Sequence, residues 1–122
     1  DVPSHLALYG RVHVAVDTTP YNGTTTTCEA LWMGVPVITV PGDRHAARVS
    51  ASLLTAAGLR EFVAPDADAF AQLAARLAAD RGRLAAMRAS LRDCLRRSPL
   101  LDAKAYATRV HAALREAFER AR

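Results

Sequence analysis

The sequence predicts an α/β fold in which three parallel strands alternate with helices and a run of helices closes the chain. Three observations carry this reading. Short apolar runs recur at 12–16, 35–40 and 61–64, each closed by turn-forming residues. Between them lie segments with apolar residues at helical spacing, stopped by Gly34 and Gly58. From Asp66 onward the pattern is alanine-rich and helical, with breaks but no further strand. Alternation of this kind means right-handed crossovers and a parallel sheet.

Taken in order, Leu6, Ala7, Leu8 and Tyr9 predict a short helix after Pro3-Ser4, stopped at Gly10. Residues 12–16, apolar apart from His13, read as a strand buried on both faces. A polar loop turns at Pro20 to Gly23, and a helix runs over 25–33 to its stop at Gly34. Residues 35–40 form the second strand, with Pro36 near its start where the missing N–H is tolerated. Pro41-Gly42-Asp43 turns the chain into a helix over 46–57, whose apolar face carries Val49, Leu53 and Leu54. Residues 61–64 are the third strand, closed by Pro65. The helical part begins at about 66, is divided near Asp80-Arg81-Gly82 and broken at Ser98-Pro99. Asp102 opens the last helix, which carries Tyr106, Val110, Leu114 and Phe118. Loops beyond the carboxyl ends of parallel strands form binding sites, so residues 17–27, 41–45 and 64–66 are expected to gather.

The most informative stretch is Asn22-Gly23-Thr24-Thr25-Thr26-Thr27, between the first strand and the helix that carries Glu29. A helix that opens there aims free backbone N–H groups and its positive dipole end at the space above the strands, where an anion such as phosphate is favoured. Four consecutive threonines add donors and capping oxygens, and Gly23 allows close approach of the backbone to a ligand. One turn in, Glu29 offers a double acceptor suited to a pair of sugar hydroxyls. Phosphate and paired hydroxyls describe a nucleotide.

Each of these residues also has a plainer reading. The threonines cap a helix, although capping needs one hydroxyl rather than four. Glu29 is equally a first-turn acid favoured by the dipole. Asp17 contacts a ligand or caps the following turn, and the second reading is preferred. Arg44 and Arg48 offset phosphate charge, or Arg48 braces its loop. His45 lies near the mouth of the expected site, and Tyr21 lies in the loop before Gly23. Trp32 and His13 read as structural, and His111 with the late arginines as helix surface. Cys28 and Cys94 have no metal-binding spacing and read as buried, reduced and apolar.

The bulk properties set limits. With 122 residues, 51% of them hydrophobic, the chain is one domain or part of one, and its start at Asp1 suggests excision from a longer chain. The net charge of +4 comes mainly from arginines beyond Arg76, interleaved with alanine and acids, with no basic and aromatic stripe for nucleic acid. No apolar stretch reaches membrane-spanning length and no signal peptide is visible, so a cytoplasmic protein without a membrane partner is expected.

The run Asn22-Gly23-Thr24-Thr25-Thr26-Thr27-Cys28-Glu29-Ala30-Leu31-Trp32-Met33-Gly34-Val35-Pro36-Val37-Ile38-Thr39 resembles the C-terminal catalytic region of protein O-GlcNAc transferases and SPINDLY-like enzymes. Pro41-Gly42-Asp43, Arg48-Val49, Ser98-Pro99-Leu100 and Lys104-Ala105-Tyr106 extend the likeness over almost the whole chain. The resemblance implies a GT-B architecture, with residues 1–122 as the C-terminal part of its Rossmann-like donor-binding domain. It implies metal-independent, inverting transfer of a sugar from UDP-GlcNAc, or GDP-fucose in SPINDLY-like enzymes, onto Ser or Thr of acceptor proteins. No cofactor beyond that donor is implied, and acceptors are held by tetratricopeptide repeats upstream.

Carried over by position, Thr25 and Thr26 match threonines that hold the donor diphosphate, within a donor-binding set of His5, Asn22, Gly23, Thr24, Thr25, Thr26 and Glu29. Glu29 falls where the family has an acid for the ribose, and His5 where animal enzymes pack a histidine on the base. Asp17, Tyr21, Arg44 and His45 are further candidates. Thr24 replaces a histidine of the animal enzymes, which places the chain in the bacterial and SPINDLY-like branch and leaves the donor open between the two nucleotide sugars.

Two other functions fit less of the sequence. Another GT-B glycosyltransferase or a sugar-nucleotide epimerase predicts a different loop before Glu29, and Leu31-Trp32-Met33-Gly34 stands against it. A non-catalytic phosphate-binding or interaction module of receiver type needs a lysine after a late strand, whereas no lysine precedes Lys104. Alone, the segment is expected to be inactive and to expose the strand edge at 12–16, favouring an oligomer or a swapped dimer.

Overall fold

A computed structural model describes residues 1–122. Helix α1 (Val2–Leu8) starts earlier than expected, because the Asp1 carboxylate caps it by accepting from the Ser4 N–H at 2.8 Å. Pro3 is tolerated in the first turn, where an N–H has no helical partner anyway. The chain passes through Gly10 without stopping, in a 3-10 turn over Tyr9–Arg11.

Strand β1 (Ala15–Asp17) pairs in parallel with β2 (Val37–Thr39), in the register Ala15 with Val37, Val16 with Ile38 and Asp17 with Thr39. Both are shorter than the apolar runs that announced them. Val12 closes the preceding 3-10 turn on the Tyr9 carbonyl, and the Val35 N–H bonds to Ala30 at the end of the intervening helix. Burial also differs between the strands. All of β2 is buried, whereas Val16 in β1 is 55% exposed on an unpaired edge.

The sheet has two strands, not three. Over the expected third strand the chain makes a 3-10 turn, Arg60–Phe62, and Val63 contributes a single parallel bridge to Thr39. The Phe62 and Val63 N–H groups are taken by the turn, and only that of Ala64 reaches Thr39, at 2.8 Å. Pro65 then has no N–H with which to extend the ladder.

Helices α2 (Thr25–Trp32) and α3 (Val49–Ala56) end where the glycines predicted. Gly34 (φ +80°) and Gly58 (φ +75°) take the left-handed conformation. Val35 bonds back to Ala30 and Gly34 to Leu31, and Leu59 to Leu54 and Gly58 to Thr55, the paired bonds of a Schellman end. Asp66, Asp80 and Asp102 cap α4 (Ala67–Ala79), α5 (Arg81–Arg96) and α6 (Ala103–Arg120) through their side chains.

Leu31, Ile38, Leu54, Phe62 and Leu77 are fully buried at the centre of the core, and α5 adds Leu84, Leu91 and Leu95. Each such side chain contributes on the order of 1.5–3 kcal/mol by leaving water. Two of the late arginines do more than solvate a helix face. Arg88 donates to the Tyr9, Val12 and Met33 carbonyls, and Arg92 to that of Trp32, tying α5 to the end of α2 and to the turn after α1. Helix α6 buries no residue and exposes Tyr106, Leu114 and Phe118 along one side.

Two outcomes follow from this packing. A Cβ on Gly34 would lie 2.7 Å from the Arg88 carbonyl oxygen, whereas one on Gly10 meets nothing within 4 Å. Gly34→Ala therefore destabilises by more than about 1 kcal/mol while Gly10→Ala is near neutral, read by denaturant unfolding of each variant. Residues 1–122 produced alone are expected to self-associate through the exposed β1 edge and α6, with light scattering detecting species larger than a monomer; a monodisperse monomer would refute this.

Candidate functional site

The loops that follow β1 and β2 meet the first turn of α2, and one carboxylate organises the junction. Asp17 at the end of β1 accepts from the Gly23 N–H through Oδ1 (2.8 Å) and from the Thr39 hydroxyl through Oδ2 (3.0 Å). Both oxygens serve the fold, in keeping with the turn-capping reading of Asp17. Asn22 is 1% exposed; its N–H donates to Ala46 and its Oδ1 accepts from the Ser50 N–H, while Nδ2 is buried with no partner. The Thr27 and Ser50 hydroxyls both lie on the Gly23 carbonyl, at 2.9 and 3.0 Å, and within 2.9 Å of each other. A Cβ on Gly23 would fall 2.3 Å from the Thr26 hydroxyl oxygen and 3.1 Å from that of Thr27, so a larger residue here would turn the exposed Thr26 side chain out of its position.

The four threonines divide by role. Thr27 is buried and structural. Thr24 occupies the N-cap position but makes no capping bond, so side chains leave the first-turn N–H groups of α2 open. Thr24, Thr25 and Thr26 are exposed at that end. Two hollows flank it. One, of about 1010 Å³, is lined by Thr24, Pro41, His45, Arg48 and the face of α3. The other, of about 170 Å³, runs along the open edge of β1 past Tyr9, Asp17 and Thr26.

One turn along α2, Glu29 meets α1. The His5 Nε2 stands 3.0 Å from Glu29 Oε2, an ion pair when the imidazole is protonated. The Tyr9 hydroxyl lies 3.4 Å from the same oxygen and 3.4 Å from the Thr26 carbonyl. The His5 and Tyr9 rings meet edge to face at 5.6 Å. Burial, and then the charge and hydrogen bonding of Glu29, hold the Tyr9 phenol above its usual range. His5 and Glu29, 24 residues apart, are thus brought together, and Tyr9 joins them although the sequence reading gave it no role in the site. The available signal was spacing, since Tyr9 follows His5 by four residues and so shares a helix face.

The remaining candidates lie further out. Tyr21 is exposed. Arg44 pairs with Asp43 at 3.2 Å, both in solvent, and His45 is exposed at the rim of the larger hollow. Arg48 donates to the Gly42 carbonyl at 3.0 Å and braces its loop. The cysteines depart from expectation: Cys28 is exposed, and Cys94 is half-buried against the Ala57 carbonyl. Partial enclosure of the Cys28 thiol, with the Glu29 charge, pushes its pKa up and makes it a poor nucleophile. No helix is long and apolar enough to cross a membrane.

Comparison with known proteins bears on this geometry. Residues 5–110 match glycosyl transferase family 41. The chain is 41% identical over 116 residues, 95% of its length, to a probable UDP-N-acetylglucosamine--peptide N-acetylglucosaminyltransferase SPINDLY of Petunia hybrida, of which it spans 12%. It is 40% identical over 93 residues, 76% of its length, to a UDP-N-acetylglucosamine--peptide N-acetylglucosaminyltransferase of Caenorhabditis elegans, of which it spans 8%. Its fold is similar to a solved O-GlcNAc transferase mutant of Thermobaculum terrenum, with a TM-score of 0.83 and 42% identity over 93% of this chain and 22% of that one. With a family match over most of its length, a shared fold and close relatives, the chain belongs to glycosyl transferase family 41.

Proposed function

We propose that this chain is the donor-binding part of an inverting protein O-glycosyltransferase of GT-B architecture, working within a longer protein. The observation that carries the proposal is the uncapped N-terminus of α2, with Thr25 and Thr26 exposed one turn before Glu29. The donor is a nucleotide sugar, UDP-GlcNAc or GDP-fucose, and the acceptor is a Ser or Thr of a protein held by repeats outside this segment. The similar proteins are named for transfer from UDP-N-acetylglucosamine, which favours that donor.

In this reading the two phosphates sit over the first turn of α2. The Thr25 and Thr26 hydroxyls and the open N–H groups donate to phosphate oxygens, and the helix dipole adds to the attraction. Glu29 accepts from the ribose hydroxyls and fixes the nucleoside relative to the phosphates. As the bond from sugar to phosphate breaks, negative charge grows on the departing diphosphate. Donors already aimed there stabilise it without reorganising, and no metal is required for that step. The segment supplies leaving-group stabilisation and donor orientation, so it has no turnover when isolated.

Thr25→Ala or Thr26→Ala in the full-length protein is expected to lower turnover on the order of 10²-fold, with folding unchanged. Turnover is read as the mass shift on an acceptor protein with UDP-GlcNAc and GDP-fucose offered separately. Unchanged rates and unchanged donor affinity in both variants would overturn the proposal.

A further inference from the structure

A carboxylate that selects two ribose hydroxyls has to hold one orientation, yet a glutamate on a helix surface has three rotatable side-chain bonds. The structure restrains Glu29 from one side only. Its Oε2 faces both the Tyr9 hydroxyl (3.4 Å) and the His5 ring (3.0 Å), and Oε1 has no protein partner. The two restraining groups differ in how they are rooted. The His5 side chain is 49% exposed on a short helix. Tyr9 is half-buried against the core, and its backbone carbonyl accepts from Arg88 on α5. Its hydroxyl also reaches the Thr26 carbonyl, on the turn that carries the phosphate-facing threonines.

We propose that Tyr9 is a positioning residue for donor binding: its hydroxyl holds Glu29 Oε2 so that Oε1 is presented to the ribose at a fixed distance from the first turn of α2. This rests on the donor-binding reading above. Tyr9 touches no reacting atom and acts through Glu29. His5 shares Oε2 but, being exposed, is free to turn toward the base and leave Tyr9 as the standing restraint. The occupant of Oε1 is a pair of vicinal sugar hydroxyls, so the effect is confined to ligands that carry them.

The test uses the full-length protein, with Kd measured for UDP and GDP and for the 2′,3′-dideoxy form of whichever binds. Tyr9→Phe keeps the ring and its packing, and is expected to raise Kd about 3- to 10-fold, the effect of losing one ordinary hydrogen bond, since this one is long at 3.4 Å. It raises the donor KM by a similar factor and leaves kcat within about twofold, because phosphate stabilisation is untouched. The penalty disappears for the dideoxy ligand and in a Glu29→Ala background, which a general loss of structure would not produce. A Tyr9→Phe protein that binds as the wild type does, in the same assay in which Glu29→Ala weakens binding, overturns the role of Tyr9. So does a Tyr9→Phe penalty that persists in the Glu29→Ala background. If Glu29→Ala itself leaves Kd unchanged, the assignment of the ribose to Glu29 fails, and the inference falls with it.

Discussion

The arrangement of the site depends on the carboxylate of Asp17. Its two oxygens join three elements: the end of β1 that carries it, the Gly23 N–H that starts the turn into α2, and the Thr39 hydroxyl at the end of β2. A hydrogen bond to an ionised group contributes about 1.5–3 kcal/mol, and here two converge on one side chain. Their effect is geometric as well as energetic. Because Gly23 is pinned to the strand end, the first turn of α2 faces outward above the sheet. The buried contacts of Thr27 and Ser50 with the Gly23 carbonyl fix the same turn from the other side. The N-terminus of α2 is open because Thr24, at the N-cap position, makes no capping bond.

A second consequence concerns Glu29. Fixing the start of α2 also fixes the azimuth of the helix, and Glu29 is thereby aimed at α1 rather than at α3. Helix α1 is held in turn by the Arg88 bonds to the Tyr9 and Val12 carbonyls. The first turn of α2 and the Glu29 side chain are therefore set by two separate groups of contacts, which meet where Tyr9 reaches both Glu29 and Thr26.

Much of this was legible in the residues, and the parts that were not fail for identifiable reasons. Glycines in the left-handed conformation and aspartates as caps act within a few residues, so the ends of α2 and α3 and the starts of α4, α5 and α6 could be read locally. Strand extent is decided by partners far along the chain. The apolar residues at 12–16 and 61–64 have strand composition, yet short-range turns claim the N–H groups of Val12, Phe62 and Val63 before a ladder can. The threonine run was recognisable as a unit, and its one buried member, Thr27, shares the inward face of α2 with Ala30 and Leu31 at helical spacing, while its bond to Ser50 depends on the packing of α3. Glu29 and His5 were singled out separately. Their contact, and the part played by Tyr9, required the packing of α1 against α2.

The proposed role of the first turn of α2 and the Glu29 carboxylate is to hold a nucleoside diphosphate between them. A crystal structure of the full-length protein with UDP or GDP tests it most directly. Phosphate oxygens are expected within about 2.7–3.2 Å of the N–H groups and hydroxyls of Thr25 and Thr26, and a ribose hydroxyl at the same distance from Glu29. A diphosphate seated instead against His45 and Arg48, with the start of α2 untouched, would contradict it.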